Sequence, residues 1–286
     1  MPGQTPEKRV FPVELLFMRL PVLLFILCIS ATTLVYITLF YIPLFLEFTR
    51  VQNPDKTFAD SENLTPIHAG VVFLPIIAAL LTASIGGGIL LTKVRYYFPF
   101  YLAGSIIGLT GSVLLYLSQV DTPLVQTCAS AALVGAGSAL YAQVGFSVIP
   151  SKIPTHRIGH AIGFLSTAQV FGGAACVAVG ETIVVGVAAS QLAVILPGTP
   201  TAVLKNMVAG TSNSLFNSLT SDTKRAVIRA IVGAIDKAYI LGIVAGLVGI
   251  ICTLFLPHER IAAKNGPKVR LLETRLILGG NCENGR

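Results

Sequence analysis

The chain is short of charge. Only 12% of its 286 residues are Asp, Glu, Lys or Arg, against 53% hydrophobic; a soluble domain carries about 25% charged residues. With a mean hydropathy of +0.78, this excludes an ordinary water-soluble globule and marks an integral membrane protein. The apolar–polar alternation of ~10-residue membrane strands is also missing, which removes a β-barrel. The five cysteines, at 28, 128, 176, 252 and 282, contain no CxxC spacing. A metal or redox centre therefore has no frame, and they read as small apolar packing residues. No His/Glu cluster or nucleophile motif stands near a bilayer surface, so a membrane enzyme is unsupported. No filter-like repeat or ring of charges supports a channel. His156 and His160 are four residues apart with no acidic or Cys neighbour, and read as solvated or headgroup-facing. The residues call for no cofactor and no metal.

What the chain has is long apolar runs. Six can be drawn, at about 22–48, 69–92, 98–118, 124–149, 158–183 and 238–256, each long enough to cross a bilayer as a helix. The first is too long for a signal peptide and lacks a small-residue cleavage site after it. The expected fold is an all-α integral membrane bundle over 22–256, with a short lead (1–21), one long loop (184–237) and a basic tail (257–286). The run from Ile158 to Glu181 carries Gly159, Gly163, Gly172, Gly173, Ala174 and Ala175. Small residues let helix backbones approach in lipid, so this helix is expected to pack against others. Gln169 sits halfway along it, where an unpaired amide is costly.

The net charge of +7 is better explained by its distribution than by nucleic acid. With the N-terminus cytoplasmic, the inner segments hold 13 Lys/Arg and the outer ones 7, five of them in the loop 184–237. Both termini are then expected inside. Asn63-Leu64-Thr65 falls in the first outer loop as an N-glycosylation pattern, with Pro66 directly after it. Val227, Ile228, Ile231, Val232 and Ile235 form an apolar stripe among Lys224, Arg225 and Arg229, expected to lie on the outer interface and lead into the sixth span.

Other residues stand out within the runs. Gly86-Gly87-Gly88 offers close packing or a flexible point. Gly104 and Gly108 have GxxxG spacing and read as intramolecular packing. Tyr141 and Gln143 read either as a polar cavity wall or as hydrogen bonds between helices. Glu47 reads as a proton carrier or, about 26 residues from the inner end of its helix, as an interfacial carboxylate. Three helices followed by three, an odd number, make the second group inverted relative to the first, the 3+3 plan of one half of a major facilitator transporter.

Several stretches also resemble a family in order. Phe40-Tyr41-Ile42-Pro43-Leu44-Phe45, Gly70-Val71-Val72-Phe73-Leu74-Pro75, Gly88 to Pro99, Gly135 to Gln143, Pro150 with Gly159, and Phe164 to Glu181 resemble the fungal fourteen-helix drug:proton antiporters of the major facilitator superfamily. The resemblance covers about residues 15–262 and matches the C-terminal six helices alone. It departs at Glu47, where the family has an amide, and at Arg95, where it often has glycine.

The resemblance implies efflux of a drug, toxin or secondary metabolite, an amphiphilic small molecule, against entering protons. Helices one and four would line the cavity, giving Thr33, Tyr36, Tyr141 and Gln143. Helices two and five would form the seam with the other half, giving Gly86, Gly88, Gln169, Gly172 and Gly173. Glu47 or Glu181 would carry protons. Alternating access needs two bundles, so the chain is expected to form a homodimer, to pair with a separate N-terminal half, or to be an inactive remnant; a non-transporting scaffold is the other reading. The expected location is the plasma membrane, with the vacuole or another endomembrane as alternatives.

Overall fold

The structure, a computed structural model, describes residues 17–52, 66–94, 96–118, 122–153, 157–196 and 221–257, with isolated positions between 199 and 208. Seven helices account for nearly all of them: α1 (Arg19–Gln52), α2 (Pro66–Val94), α3 (Phe98–Tyr116), α4 (Leu124–Ala142), α5 (Val144–Lys152), α6 (Ile158–Ile195) and α7 (Ser221–Leu254). Gln143 between α4 and α5 keeps near-helical dihedrals, φ −84 and ψ −20, so the two run on as a single apolar span, Val125–Ser151. Six helices are thus long and apolar enough to cross a membrane.

The glycines fix how the spans run. Gly172 lies against Ile29 and Gly180 against Tyr41, so α6 is parallel to α1. Gly249 meets Ser30 and Gly242 meets Ile37, so α7 runs against α1; it also runs against α3, where the same glycines meet Ser105 and Ser112. Gly104 and Gly111 of α3 meet Tyr141 and Val134, so α4 is antiparallel to α3. Gly135 against Ile76 and Gly87 against Leu140 set α2 parallel to α4. Consecutive spans therefore alternate in direction.

Their pairing has an internal regularity. Span one (α1) packs along spans four, five and six, span four (α4–α5) along one, two and three, and span three (α3) along six (α7). Exchanging spans one, two and three for four, five and six maps this set onto itself, and each exchange reverses the direction of a span. Spans five and six also pack together, whereas two and three scarcely touch.

Backbone approach and local hydrogen bonds hold the bundle together. A Cβ on Gly137 would stand 2.3 Å from the Gly108 nitrogen and 2.7 Å from the Gly104 oxygen, so the GxxxG pair of α3 receives a glycine of α4. Most Ser and Thr hydroxyls fold back one turn: Thr32 to the Cys28 carbonyl at 2.7 Å, Thr38 to Leu34 at 2.9 Å, Ser112 to Gly108 at 3.0 Å. This satisfies them without a partner helix.

One polar chain does cross the bundle. Ser30 Oγ donates to the Ala245 carbonyl at 2.5 Å and lies 3.1 Å from the Tyr141 hydroxyl. The serine proton being spent, Tyr141 is the donor, and α4, α1 and α7 are tied through one buried relay. Just past the C-terminal end of α7, the Tyr97 hydroxyl donates to the Pro257 carbonyl.

Two helices run past their expected ends. α6 continues to Ile195 because the stretch after residue 183 is apolar and has no breaker before Pro197-Gly198. Val184, Ala188 and Leu192, four apart, are buried. α7 begins at Ser221 instead of near 238. The stripe Val227, Ile228, Ile231, Val232 and Ile235, expected on the membrane interface, is at most 2% exposed. It does lead into the sixth span, but its apolar face packs into protein. At 1.5 Å per residue these helices are about 57 and 51 Å long, well beyond a ~30 Å hydrocarbon core.

Candidate substrate cavity

Spans one, two, four and five surround a cavity of about 330 Å³. α1 contributes Ala31, Thr32, Val35 and Tyr36, α2 Leu80 and Ser84, and α4 Ala139 and Ala142. Gln143 at the α4–α5 junction, with Gln169 and Val170 of α6, completes the lining. No side chain in it carries a formal charge. The walls are mostly small or aliphatic; besides Thr32, whose hydroxyl is bound to the Cys28 carbonyl, four polar groups break them: the Tyr36 phenol, the Ser84 hydroxyl and the amides of Gln143 and Gln169. Among the described residues none of these four is engaged in a hydrogen bond within the protein. Unengaged donors and acceptors around an apolar space are what a small-molecule site requires.

Tyr36 is placed by its neighbours. Its ring lies against Gly173, where a Cβ would come within 2.9 Å of the ring, and it stacks at 6.1 Å on Phe40 one turn along. Gly173 thus makes room for the aromatic wall. Gly172 does something different. A Cβ there would stand 3.0 Å from the Ile29 Cα, so this glycine sets the α1–α6 backbone distance. We expect Gly172→Ala to lower the thermal midpoint of the solubilised protein by a few degrees, since an overpacked contact costs about 1–3 kcal/mol. Gly173→Ala should melt near wild type, because a half-exposed ring moves aside, yet change ligand affinity. Equal melting of the two variants would count against this division of roles.

The other residues singled out in the sequence fall elsewhere. Tyr141 is 1% exposed and is consumed by the Ser30 relay, the helix-bonding reading of the two. The Thr33 hydroxyl is bound to the Ile29 carbonyl at 2.9 Å, and its own carbonyl accepts from Cys176 Sγ at 3.5 Å. Neither lines the cavity. Gly86 and Gly88 are exposed, with nothing within 4 Å of a Cβ on either. Gly172 and Gly173 are instead buried against α1. Glu181 is exposed, one residue from the Gly180–Tyr41 contact. Glu47 lies on the last turns of α1, beyond the residues whose side chains are described, and Asn63 lies outside the described residues. Ser84 carries no signal in the sequence: a serine in a mostly apolar run does not show which side of its helix meets a cavity.

Exposure is uneven around the bundle. Half or more of the apolar windows of spans one and four is buried, against 17% for span two and 28% for span five. Gly86 and Gly88 on span two, and Gly159 and Gly163 on span five, face open space. Small residues on a membrane helix ordinarily meet another helix. Spans two and five, which wall the cavity beside α1 and α4, present most of them, and α7 presents Gly233.

Comparison with known proteins agrees with this architecture. Residues 2–176 match the Major Facilitator Superfamily. The MFS-type transporter pgmG of Aspergillus terreus is 31% identical over 259 residues, covering 91% of this chain and 44% of that protein. The efflux pump alnA of Emericella nidulans is 32% identical, covering 90% and 45%. The efflux pump patC of Aspergillus clavatus is 27% identical, covering 89% and 44%. The chain spans less than half the length of these relatives. Six apolar spans alternating in direction around an uncharged cavity, and a family match over more than half its length, place this multi-pass membrane protein in the major facilitator superfamily, to which the chain belongs.

Proposed function

We propose that this chain forms one half of an exporter for uncharged amphiphilic metabolites, toxins or drugs, and that protons entering the cell drive the export. The observation that carries the reading is the cavity: four unengaged polar groups and no charge, opening between spans one, two, four and five. An uncharged lining favours a neutral ligand, because an ion leaving water for such a wall meets no counter-charge. The symmetric exchange of helix pairs supports a 3+3 inverted repeat, whose site lies at the interface between repeats. The exposed small residues on spans two and five support a seam with a second six-helix unit, either another copy or a separate N-terminal half. In this arrangement the ends of α6 and α7 that extend past the bilayer lie on the outer side. The rival reading, a six-helix protein that moves nothing, predicts no flux at all.

The test is retention of a neutral probe, 1-naphthol, in cells with and without the full chain. The proposal expects lower retention when the chain is present, and loss of that difference when a protonophore collapses the proton gradient. Equal retention in both cells ends the export reading. A difference that survives the protonophore ends proton coupling alone.

A further inference from the structure

Outside the cavity, the last span holds a buried polar pair that the export reading does not use. Among the described residues Asp236 Oδ1 and the Tyr239 hydroxyl are buried atoms without a hydrogen-bond partner, Asp236 as a whole being half-buried. They are three residues apart on α7 and so share a face. Tyr239 is 1% exposed, and Ile235 and Ala238 beside it are fully buried. One turn further on, Gly242 touches Ile37 of α1 and Ser112 of α3. Tyr239, one turn before Gly242, thus lies on the side of α7 towards α1 and α3, and Asp236 is about 27 Å along the helix from Leu254, near the edge of a hydrocarbon core.

Among the described residues no basic side chain of α1, α3 or α6, the helices packed on α7, is seen to pair with the carboxylate. α1 brings Tyr41, which interacts with Glu181 of α6 and with Cys176; α3 brings Tyr116, which is exposed. On α7 itself Lys237 is the next residue, turned about 100° away and exposed, and Arg229 is likewise exposed. A half-buried carboxylate with one oxygen shut off from solvent and unpartnered is costly unless it takes a proton or finds a donor.

We propose that Asp236 and Tyr239 form a proton-binding site in the last span, separate from the cavity and from Glu47 and Glu181. In the protonated state the neutral carboxyl packs among the apolar side chains and the phenol stays unbonded, as the structure has them. On release, the proton goes from the carboxyl oxygen to solvent at the near end of the span. The phenol keeps its own proton and turns its O–H onto the ionised carboxylate, the donor closest to hand. One proton is taken up and one returned, and the local packing of α7 on α1 and α3 differs between the states.

The test is infrared difference spectroscopy of the full chain in lipid nanodiscs, between acidic and alkaline buffer. Wild type should show the C=O stretch of a buried protonated carboxyl that rises on acidification. Asp236→Asn, neutral and of the same shape, should fold and lack that band. Tyr239→Phe should keep the band but move its midpoint by about one pH unit or more towards alkaline pH, because the ionised form has lost its donor. A wild-type spectrum without the band, or the same band in Asp236→Asn, overturns the site. An unmoved midpoint in Tyr239→Phe overturns the pairing. The readout needs no transport, so it stands or falls apart from the export reading.

Discussion

Replacing Gly137 with alanine should cost the bundle more than any other single methyl group on a described glycine. The added Cβ would meet the Gly108 nitrogen at 2.3 Å and the Gly108 Cα and Gly104 oxygen at 2.7 Å. These are backbone atoms, which cannot swing away as a side chain does. Either α3 and α4 part along their whole contact or the local helix distorts. Overpacking of a tight site costs about 1–3 kcal/mol and sometimes more, and a rigid backbone on both sides places this variant at the upper end. At about 2–4 °C per kcal/mol for a protein of this size, the thermal midpoint of the solubilised protein should fall by roughly 10 °C. Gly86→Ala and Gly88→Ala are the controls. A methyl there meets nothing within 4 Å, and alanine improves helix propensity by about 1 kcal/mol, so both should melt at or above wild type. The measurement is loss of the monodisperse peak on size exclusion after heating. A Gly137→Ala protein as robust as the Gly86→Ala control would mean that α3 and α4 do not approach as closely as described.

The spans were legible because twenty apolar residues in a row have few alternatives. Their ends were not, because beyond the bilayer it is packing, not hydrophobic length, that decides how far a helix continues. Residues 184–195 look like the start of an apolar loop until Val184, Ala188 and Leu192 are seen buried on one face. The stripe from Val227 to Ile235 has the periodicity of an interfacial helix; the same periodicity serves a helix packed on protein, and composition alone does not separate the two. Within the spans, Tyr36, Gln143 and Gln169 stand out because polar groups in apolar runs are rare enough to notice, but the resemblance implies a seam position for Gln169, which here lines the cavity. Tyr141 and Thr33 were noticed for the same reason, yet one is spent on Ser30 and the other on its own helix. A sequence shows that a hydroxyl is present, not whether the preceding turn has already engaged it. Asp236 escaped because it stands just before the sixth apolar run, among the charges of a loop that proves to be helix.

Replacing both cavity amides should remove ligand binding while leaving the fold intact. Gln143 and Gln169 approach the cavity from different spans, and among the described residues neither is engaged within the protein. Leucine at either site breaks no internal bond and suits a membrane interior, so Gln143→Leu/Gln169→Leu should melt within a few degrees of wild type. A hydrogen bond to an uncharged ligand is worth about 0.5–1.5 kcal/mol. Loss of two should weaken binding of 1-naphthol-sized neutral ligands by about ten- to a hundred-fold. The measurement is equilibrium binding in nanodiscs by the ligand's own fluorescence, which the protein leaves clear because it has no tryptophan. Charge gives the sharper contrast. Wild type should prefer 1-naphthol to 1-naphthylmethylammonium and to 1-naphthoate, since no lining group offers either ion a counter-charge. Gln143→Glu places one carboxylate in the wall, and the preference should then turn towards the cation, because an opposite charge nearby restores part of what desolvation removes. If the double leucine variant binds the neutral probe as wild type does, the amides do not touch the ligand. If the glutamate leaves the charge preference unchanged, the ligand does not enter this cavity, whatever else the chain transports.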